Sequence, residues 1–226
     1  MEDKPELLMR KGEARDIPYL VDTIVAAEKS GTDIFSYSSI FEMPEQEVRK
    51  IFADVLREDV PGQELCCSDY LVAEVDGRFA GAVAAWIEGE CGQPSSVRKA
   101  MLLNHFFPEE NMRKALEKRK FLDQVHFDPD PGTLVIDIGL TLPEFRGQGM
   151  LAKLMLEQTR LHLKRRPDIR ISQIHIMKNN LVAFKIYSKL GYYTIREKTC
   201  NDSVILKWLP SDTQVVMEKK LSYSPD

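Results

Sequence analysis

An arginine and two glycines lie between a predicted strand and a predicted helix, in the stretch PEFRGQGMLAKLM (143–155). Because Gly147 and Gly149 have no side chains, the first backbone amides of the helix and its positive dipole end can face an anion. Arg146 adds a fixed positive charge next to them. These residues predict a phosphate or pyrophosphate site, although a glycine-rich loop without a ligand would have the same sequence.

Two known phosphate-binding loops fit this stretch poorly. A nucleotide-binding P-loop has the form GxxxxGK[ST], and no Lys-Ser or Lys-Thr follows these glycines. A dinucleotide fingerprint is nearer, since Gly147, Gly149 and Ala152 spell GxGxxA. However, the residues PEFR separate the strand from the glycines, and the acidic residue about 20 positions on, Asp168, precedes the next strand instead of ending it. The sequence therefore argues against a dinucleotide site.

Residues that could transfer protons lie on both sides of this stretch. His175 and Asp137 fall in predicted strands, and a neutral histidine is suited to accept a proton near pH 7. A carboxylate inside a strand is unexpected unless it is paired or functional. Asn180 and Tyr187 lie in NLVAFKIYSKLGY (180–192). A polar-face histidine, a helix N-cap asparagine and a core tyrosine are the structural alternatives, and the residues alone leave them open.

The two stretches together resemble the GNAT superfamily of acetyl-CoA-dependent N-acetyltransferases. Its signature is VxPxxRGxGxG/A on a strand, loop and helix, followed by NxxAxxxYxxxGF. The resemblance is close over about 134–192 and looser elsewhere, and Leu151 departs from it, because the family prefers Gly or Ala there. That position contributes a backbone amide, so the leucine side chain can turn into the core. The matching residues are Thr141, Pro143, Arg146, Gly147, Gly149, Asn180, Ala183, Tyr187, Gly191 and Tyr192.

The resemblance implies how this chain would bind acetyl-CoA. The pyrophosphate of coenzyme A would lie against Arg146, Gly147 and the amides of the residues that follow, and the pantetheine arm would pair with the end of the preceding strand. Asn180 would contact the pantetheine or thiol region. The residues that this assigns to acetyl-CoA are Leu140, Thr141, Leu142, Arg146, Gly147, Gln148, Gly149, Met150, Leu151, Ala152 and Asn180.

The resemblance also implies catalytic roles. Tyr187 matches the tyrosine that faces the leaving sulfur and would be the general acid. His175 lies where amino-terminal acetyltransferases of this superfamily carry a glutamate base. The rival base is Asp137, which is proposed from its position inside a strand and not from the resemblance, and a water chain is a third possibility. The reaction would be direct transfer from acetyl-CoA to a small-molecule or protein amine in a ternary complex. The alternative function is a non-catalytic acyl-CoA sensor or scaffold.

The strand before the glycines, LVIDIGLTL (134–142), shows alternating polarity. The alternation predicts one apolar face and one smaller, more polar face. Gly139 within it predicts either close approach by a ligand or a bulge. The apolar face would contain Leu134, Ile136, Ile138, Leu140 and Leu142, and the other face Val135, Asp137, Gly139 and Thr141.

Hydrophobic periodicity and turn residues predict the remaining elements. The predicted order is α, α, β-hairpin, helical insertion, β, α, β, α, β, β, which makes a mixed α/β layer. With the resemblance, this implies an α/β GNAT fold with a mostly antiparallel sheet, splayed central strands and flanking helices, as a single domain over 1–226. The predicted ranges are helices at 16–28, 44–58, 147–165 and 181–190, a hairpin at 71–86, an insertion at about 88–132, and strands at 134–142, 170–177, 194–199 and 213–220.

The insertion contains NHFFPEEN (104–111), which combines aromatic and acidic residues. Such residues are suited to a pocket for an amine with an apolar arm. An insertion that forms a dimer interface, or one that only packs, would fit the sequence equally well.

Composition limits the other functions. A net charge of −4 and a pI of about 5.7 argue against a nucleic-acid partner and favour a cationic small molecule slightly. No apolar run is long enough for a membrane span, and the charged N-terminus does not resemble a secretory signal. The four cysteines fit no disulfide framework or metal site, which predicts a cytoplasmic protein without metal. A homodimer is possible.

Overall fold

A seven-stranded sheet organises the chain in the computed structural model, which describes residues 6–222. The strand order is β1-β2-β3-β4-β5-β7-β6, and every neighbouring pair is antiparallel except β4 and β5. The strands are β1 (Leu7–Lys11), β2 (Tyr70–Val75), β3 (Arg78–Ile87), β4 (Leu134–Thr141), β5 (Ile171–Met177), β6 (Tyr193–Thr199) and β7 (Thr213–Lys220).

Helices cover both faces of the sheet. The first three helices and part of the insertion pack on one hydrophobic core, while α6 and α7 pack on the other. No helix in residues 6–222 is long and apolar enough to cross a membrane. The helices are α1 (Ile17–Lys29), α2 (Ser36–Phe41), α3 (Glu45–Glu58), α4 (Ser95–Phe106), α5 (Glu109–Leu122), α6 (Met150–Arg165) and α7 (Leu181–Lys189).

The predicted fold class is confirmed, but the predicted element order omits β1 and α2. β1 is a five-residue edge strand whose Leu7 and Leu8 are exposed, so it lacks the alternation that marks a half-buried strand. α2 has only six residues, with the sequence SYSSIF, and serine, tyrosine and phenylalanine have modest helix propensity. Both elements depend on their neighbours rather than on a local signal.

A bulge in β4 makes the predicted two-face pattern of this strand wrong. Val83 of β3 pairs with Gly139, but the next residue, Ala84, pairs with Asp137, so Ile138 has no partner. Ile138 has a φ of +46°, which is unusual for a β-branched residue. The extra residue reverses the alternation, so Ile138 packs in the core that contains Val135, not in the core that contains Leu134 and Ile136.

The two central strands separate soon after they meet, as predicted. β4 and β5 pair only at Leu134 with Ser172 and at Val135 with Gln173. The Gln173 side chain also anchors the segment before β4, since its Nε2 donates to Asp130 Oδ2 at 2.6 Å and its Oε1 accepts from Asp130 N at 3.0 Å. Beyond these pairs the strands diverge and leave an opening in the middle of the sheet.

The insertion consists of α4 and α5, as predicted, and its NHFFPEEN segment packs rather than lining a pocket. Phe107 is buried against Phe41 of α2, with a centroid distance of 4.3 Å. Asn111 Nδ2 donates to the carbonyl of Phe41 at 2.8 Å, while Glu109 and Glu110 are exposed. The segment therefore packs within the chain, and the dimer-interface alternative stays a prediction from the sequence.

Candidate functional site

A cavity of about 740 Å³ lies at the opening between β4 and β5. α1, α2, the loop before α6, and α7 complete its walls. Two predicted site residues, Leu142 and Gln148, do not line it. The amide of Leu142 donates to Ala80 O on β3 at 2.9 Å, and Gln148 is exposed on the loop. The predicted residues that do line it are Asp137, Leu140, Thr141, Arg146, Gly147, Gly149, Met150, Leu151, Ala152, His175, Asn180 and Tyr187.

One end of the cavity is the start of α6. The helix begins at Met150, later than predicted, because Gly147 and Gly149 have left-handed φ angles of +79° and +71° that continue the loop. Its first backbone hydrogen bond runs from Lys153 N to Gly149 O at 3.0 Å, so the amides before Lys153 have no intrahelical partner. Arg146 is exposed beside them. This end of the cavity is therefore suited to an anion.

Leu151, the departure from the family pattern, packs against Gly139. A Cβ atom at Gly139 would lie 2.8 Å from Leu151 Cδ1, so the glycine makes room for the leucine side chain. The bulge predicted as one alternative for Gly139 lies at its neighbour Ile138. The Leu151 side chain turns into the core beneath α6, as expected, and its amide stays in the first turn of the helix.

One backbone edge of β4 faces the cavity between the anion-binding end and the centre. Leu140 and Thr141 pair with Ala82 and Gly81 of β3 on one side, and they have no pairing with β5 on the other side. The Thr141 side chain is buried at its Oγ1 atom, which has no hydrogen-bond partner within residues 6–222. An extended ligand could therefore add to this edge as a strand would.

Asp137 and Tyr187 are two polar groups near the centre of the cavity. Burial raises the pKa of Asp137 to about 7, and the negative charge of Glu64 adds to this effect. Asp137 Oδ1 accepts a hydrogen bond from the amide of Ile138 at 2.8 Å. Burial also raises the pKa of Tyr187, and the charge of Asp137 contributes. Tyr187 therefore stays protonated over the neutral range, while Asp137 exchanges a proton within it.

His175 lies on the β5 side of the same cavity. Burial lowers its pKa to about 4, and the charges of His126 and Arg196 act in the same direction. Its ring lies edge-on to Phe127, with centroids 6.3 Å apart, and its buried Nε2 atom has no hydrogen-bond partner among the described residues. The imidazole is thus neutral at physiological pH and a much weaker base than Asp137.

Asn180 caps α7 and lines the cavity as well. Its Oδ1 atom accepts a hydrogen bond from Ala183 N at 3.2 Å, which is the N-cap geometry that the sequence allowed. The cap fixes the start of α7, and α7 carries Tyr187 toward the cavity.

Sequence reasoning missed a group of acidic residues on the α1 side of the cavity. Glu28 from α1 lines the cavity with Asp137, and the buried Glu64 lies close enough to act on both carboxyls. Lys99 of α4 forms an ion pair with Glu64. These residues are far apart in the chain and carry no motif, so only the tertiary structure brings them together. No group of three metal-ligating side chains is present in the described part of the chain.

Comparison with known proteins identifies the fold but gives no sequence relative. No protein-family model matches the sequence, and a search of curated proteins found no significant match. An N-acetyltransferase from Staphylococcus aureus Mu50 has a TM-score of 0.66 at 14% identity, covering 94% of this chain and 100% of its own. A Drosophila melanogaster polyamine N-acetyltransferase that forms N-acetylagmatine has a TM-score of 0.55 at 14% identity, covering 96% and 100%.

A third similar structure contains the ligand that the cavity is expected to bind. It is a candidate acetyltransferase from Salmonella typhimurium with its cofactor acetyl-CoA, and its TM-score is 0.51 at 13% identity, covering 97% of this chain and 96% of that one. The strand order, the separated central strands and these likenesses together show that this chain has the GNAT fold.

Proposed function

We propose that this GNAT-fold protein is an N-acetyltransferase that transfers an acetyl group from acetyl-CoA directly to a primary amine. The observation that carries the proposal is the single cavity that joins an anion-binding helix start to a proton-accepting carboxyl group. Structural neighbours named as polyamine and agmatine acetyltransferases support an amine acceptor.

The binding of acetyl-CoA follows from the shape of the cavity. The amides at the start of α6 and the Arg146 guanidinium would hold the pyrophosphate. The open edge of β4 at Leu140 and Thr141 would pair with the amides of the pantetheine arm, and the thioester would then lie beyond them, near Asp137 and Tyr187. Asn180 would contact the pantetheine or thiol region from the other wall.

Asp137 is the proposed general base. Bound acetyl-CoA would supply an activated acyl group as a thioester, and the attacking amine must first lose a proton from an ammonium with a pKa near 10. Asp137, with a pKa of about 7, accepts this proton at neutral pH. His175 remains the alternative base, but its pKa of about 4 makes it a poorer proton acceptor.

Tyr187 is the proposed general acid. The amine nitrogen forms a bond to the carbonyl carbon, the carbon–sulfur bond breaks, and the sulfur takes up a proton. The Tyr187 hydroxyl has no hydrogen-bond partner among the described residues and stays protonated, so it is available to donate to that sulfur. No step needs a covalent enzyme intermediate.

A panel of primary amines tests this function through thiol release from acetyl-CoA, with acetyl-CoA affinity measured on the same preparation. In Tyr187→Phe we expect kcat to fall about a hundredfold or more, while acetyl-CoA binding changes little, because only proton donation is lost. The matched control is Tyr19→Phe, which removes the hydroxyl of an exposed tyrosine stacked on Phe79 outside the cavity.

One result would contradict the role of Tyr187 as the general acid, and another would contradict the acetyltransferase function. An equal loss of turnover and of acetyl-CoA binding in Tyr187→Phe would show that the tyrosine is structural. Tight acetyl-CoA binding without thiol release for any amine would favour the sensor or scaffold function.

A further inference from the structure

The α1 side of the cavity contains more negative than positive groups. Glu28, Glu64 and Asp137 approach it from α1, the segment before β2, and β4, and the charges of Glu64 and Glu28 both act on Asp137. Lys99 is the basic group that acts on all three carboxyls. Three carboxyls therefore share one ammonium group.

Lys99 already forms an ion pair with one of these carboxyls. Its Nζ atom forms an ion pair and hydrogen bond with Glu64 Oε1, and the Tyr37 hydroxyl donates to the same oxygen at 3.5 Å. Burial acts to lower the pKa of Lys99, but the charge and hydrogen bond of Glu64, with the charges of Tyr37 and Glu28, together outweigh it and the pKa is raised. Lys99 thus stays charged, and it shows that an ammonium group is stable in this part of the molecule.

Glu28 and Asp137 have no such partner. Neither forms an ion pair within residues 6–222, and the side chain of Glu28 makes its hydrogen bond with the Ser36 hydroxyl. Burial raises the pKa of Glu28 to about 7, as it does that of Asp137. Both carboxyls line the cavity, so a cationic ligand there would supply the charge that the protein does not.

A second observation also indicates a ligand here. The buried Nε2 atom of His175, a residue that also lines the cavity, has no hydrogen-bond partner among the described residues. Buried polar atoms are normally paired, so this nitrogen is suited to a ligand group that the protein does not provide.

Resting on the proposed function, we infer that the acceptor is a small aliphatic amine with a second cationic group, and that Glu28 binds this second group. The charge count during transfer supports a dication over a monoamine. The reacting amine must be neutral when it attacks, and its proton passes to Asp137, which becomes neutral. Glu64 and Lys99 balance each other, so Glu28 is left without a counter-charge unless the acceptor brings one.

Two amines of the same size test this inference in the full-length protein. Putrescine and n-pentylamine have the same number of heavy atoms, and differ in ending with an ammonium or a methyl group. We expect kcat/KM to be about tenfold or more higher for putrescine, since one buried charged contact contributes at least that much. In Glu28→Gln, kcat/KM for putrescine should fall to near the value for n-pentylamine. The value of kcat/KM for n-pentylamine should hardly change.

The control variant is Glu47→Gln, which makes the same chemical change at an exposed position of α3 outside the cavity. Acetyl-CoA affinity of Glu28→Gln should remain unchanged, which shows that the variant is folded. Equal turnover of both amines, or an equal loss for both in Glu28→Gln, would overturn the inference while leaving the acetyltransferase function intact. Thiol release with neither amine, nor with any other amine of the panel, would overturn both.

Discussion

Asp137 is expected to set the pH dependence of turnover, because its side chain lies in the cavity with a pKa of about 7. The base must be deprotonated to act, so kcat/KM should rise as pH passes through about 7. Glu28 titrates in the same range, so the apparent pKa of the profile belongs to Glu28 and Asp137 together. The other titratable groups around them are Tyr37, Glu64, Tyr70, Lys99 and Tyr187.

Measuring kcat/KM between about pH 5 and pH 9 in two variants separates the candidate bases. Asp137→Asn should lower kcat/KM about a hundredfold or more and abolish most of the rise near pH 7. His175→Gln should keep the rise, since the pKa of His175 is about 4 and its ring does not titrate in this range. A profile that keeps its shape in Asp137→Asn but loses it in His175→Gln would assign the base to the histidine.

Ionisation of the Asp137 carboxyl should lower the stability of the folded protein. Its pKa is raised in the folded state above the ordinary value of 3.8, so the folded protein binds the proton more tightly than the unfolded chain. The free energy of unfolding should therefore decrease as pH rises from about 4 to about 7. In thermal unfolding without ligand at about pH 8, Asp137→Asn should melt above wild type, and a lower melting temperature there would contradict the buried, unpaired state of Asp137.

Single residues could be proposed as site residues where a motif contains them. Arg146, the two glycines, Asn180 and Tyr187 could be located because their spacing repeats a known pattern, and Asp137 stood out as a charge inside a strand. Glu28 could not be found this way, since it belongs to no motif and the sequence does not distinguish it from other polar residues of an amphipathic helix. Its proximity to Asp137 depends on how α1 crosses β4.

At the scale of elements, the loop before α6 depends on two glycines for its shape. Gly147 and Gly149 have positive φ angles, and a Cβ at either position meets no atom within 4 Å, so an alanine would fit sterically but strain the backbone. The strain is about 1–2 kcal/mol for a residue with a side chain. It should also disturb the amides that would face the pyrophosphate.

We expect Gly149→Ala to weaken acetyl-CoA binding about tenfold or more, because it displaces charge-assisted hydrogen bonds. Gly92→Ala is the matched control: Gly92 has a φ of +84° and open space around its Cβ position, and it lies outside the cavity. Both variants should lose similar stability, and isothermal titration should show that only Gly149→Ala loses affinity. Equal affinities would mean that this loop does not bind the cofactor.

The bulge in β4 shows why element-level prediction stops short of the site. The alternation of LVIDIGLTL predicts a regular strand, and its ends were located correctly to within one residue. The bulge arises from pairing with β3, a contact between distant parts of the chain, and it brings Gly139 against Leu151. Gly139 is a local signal for either a bulge or a close approach, but it does not show that the extra residue is Ile138.

At the scale of the whole molecule, ligand binding should tie the two parts of the sheet together. Acetyl-CoA at about 100 times its Kd would stabilise the folded protein by about 2.7 kcal/mol. For a chain of this size that raises the melting temperature by roughly 5 to 11 °C. Thermal unfolding with and without acetyl-CoA measures the shift, and adenosine without the pyrophosphate is the control ligand. An equal shift with both would contradict binding through the start of α6.

The overall architecture was the most predictable level. The hairpin at Asp76-Gly77, the long amphipathic α6 and the last two strands have strong local signals, and they are sufficient to define the mixed sheet. β1 and α2 were missed because they are short and held by neighbours. The single domain, the cytoplasmic location and the possible homodimer stay predictions from the sequence.

Two residue pairs join β4 to β5, so the two sides of the sheet are held together mainly by the hydrophobic core under α6, which contains residues of β4, β5 and β7. Severing the turn between α6 and β5 would give one fragment with the pyrophosphate loop and another with Asn180 and Tyr187. Each fragment would hold only one wall of the cavity, so acetyl-CoA bound as proposed, in contact with both walls, should strengthen their reassembly through the shared core. The fold is therefore a natural starting point for a two-piece reporter that assembles in response to acetyl-CoA.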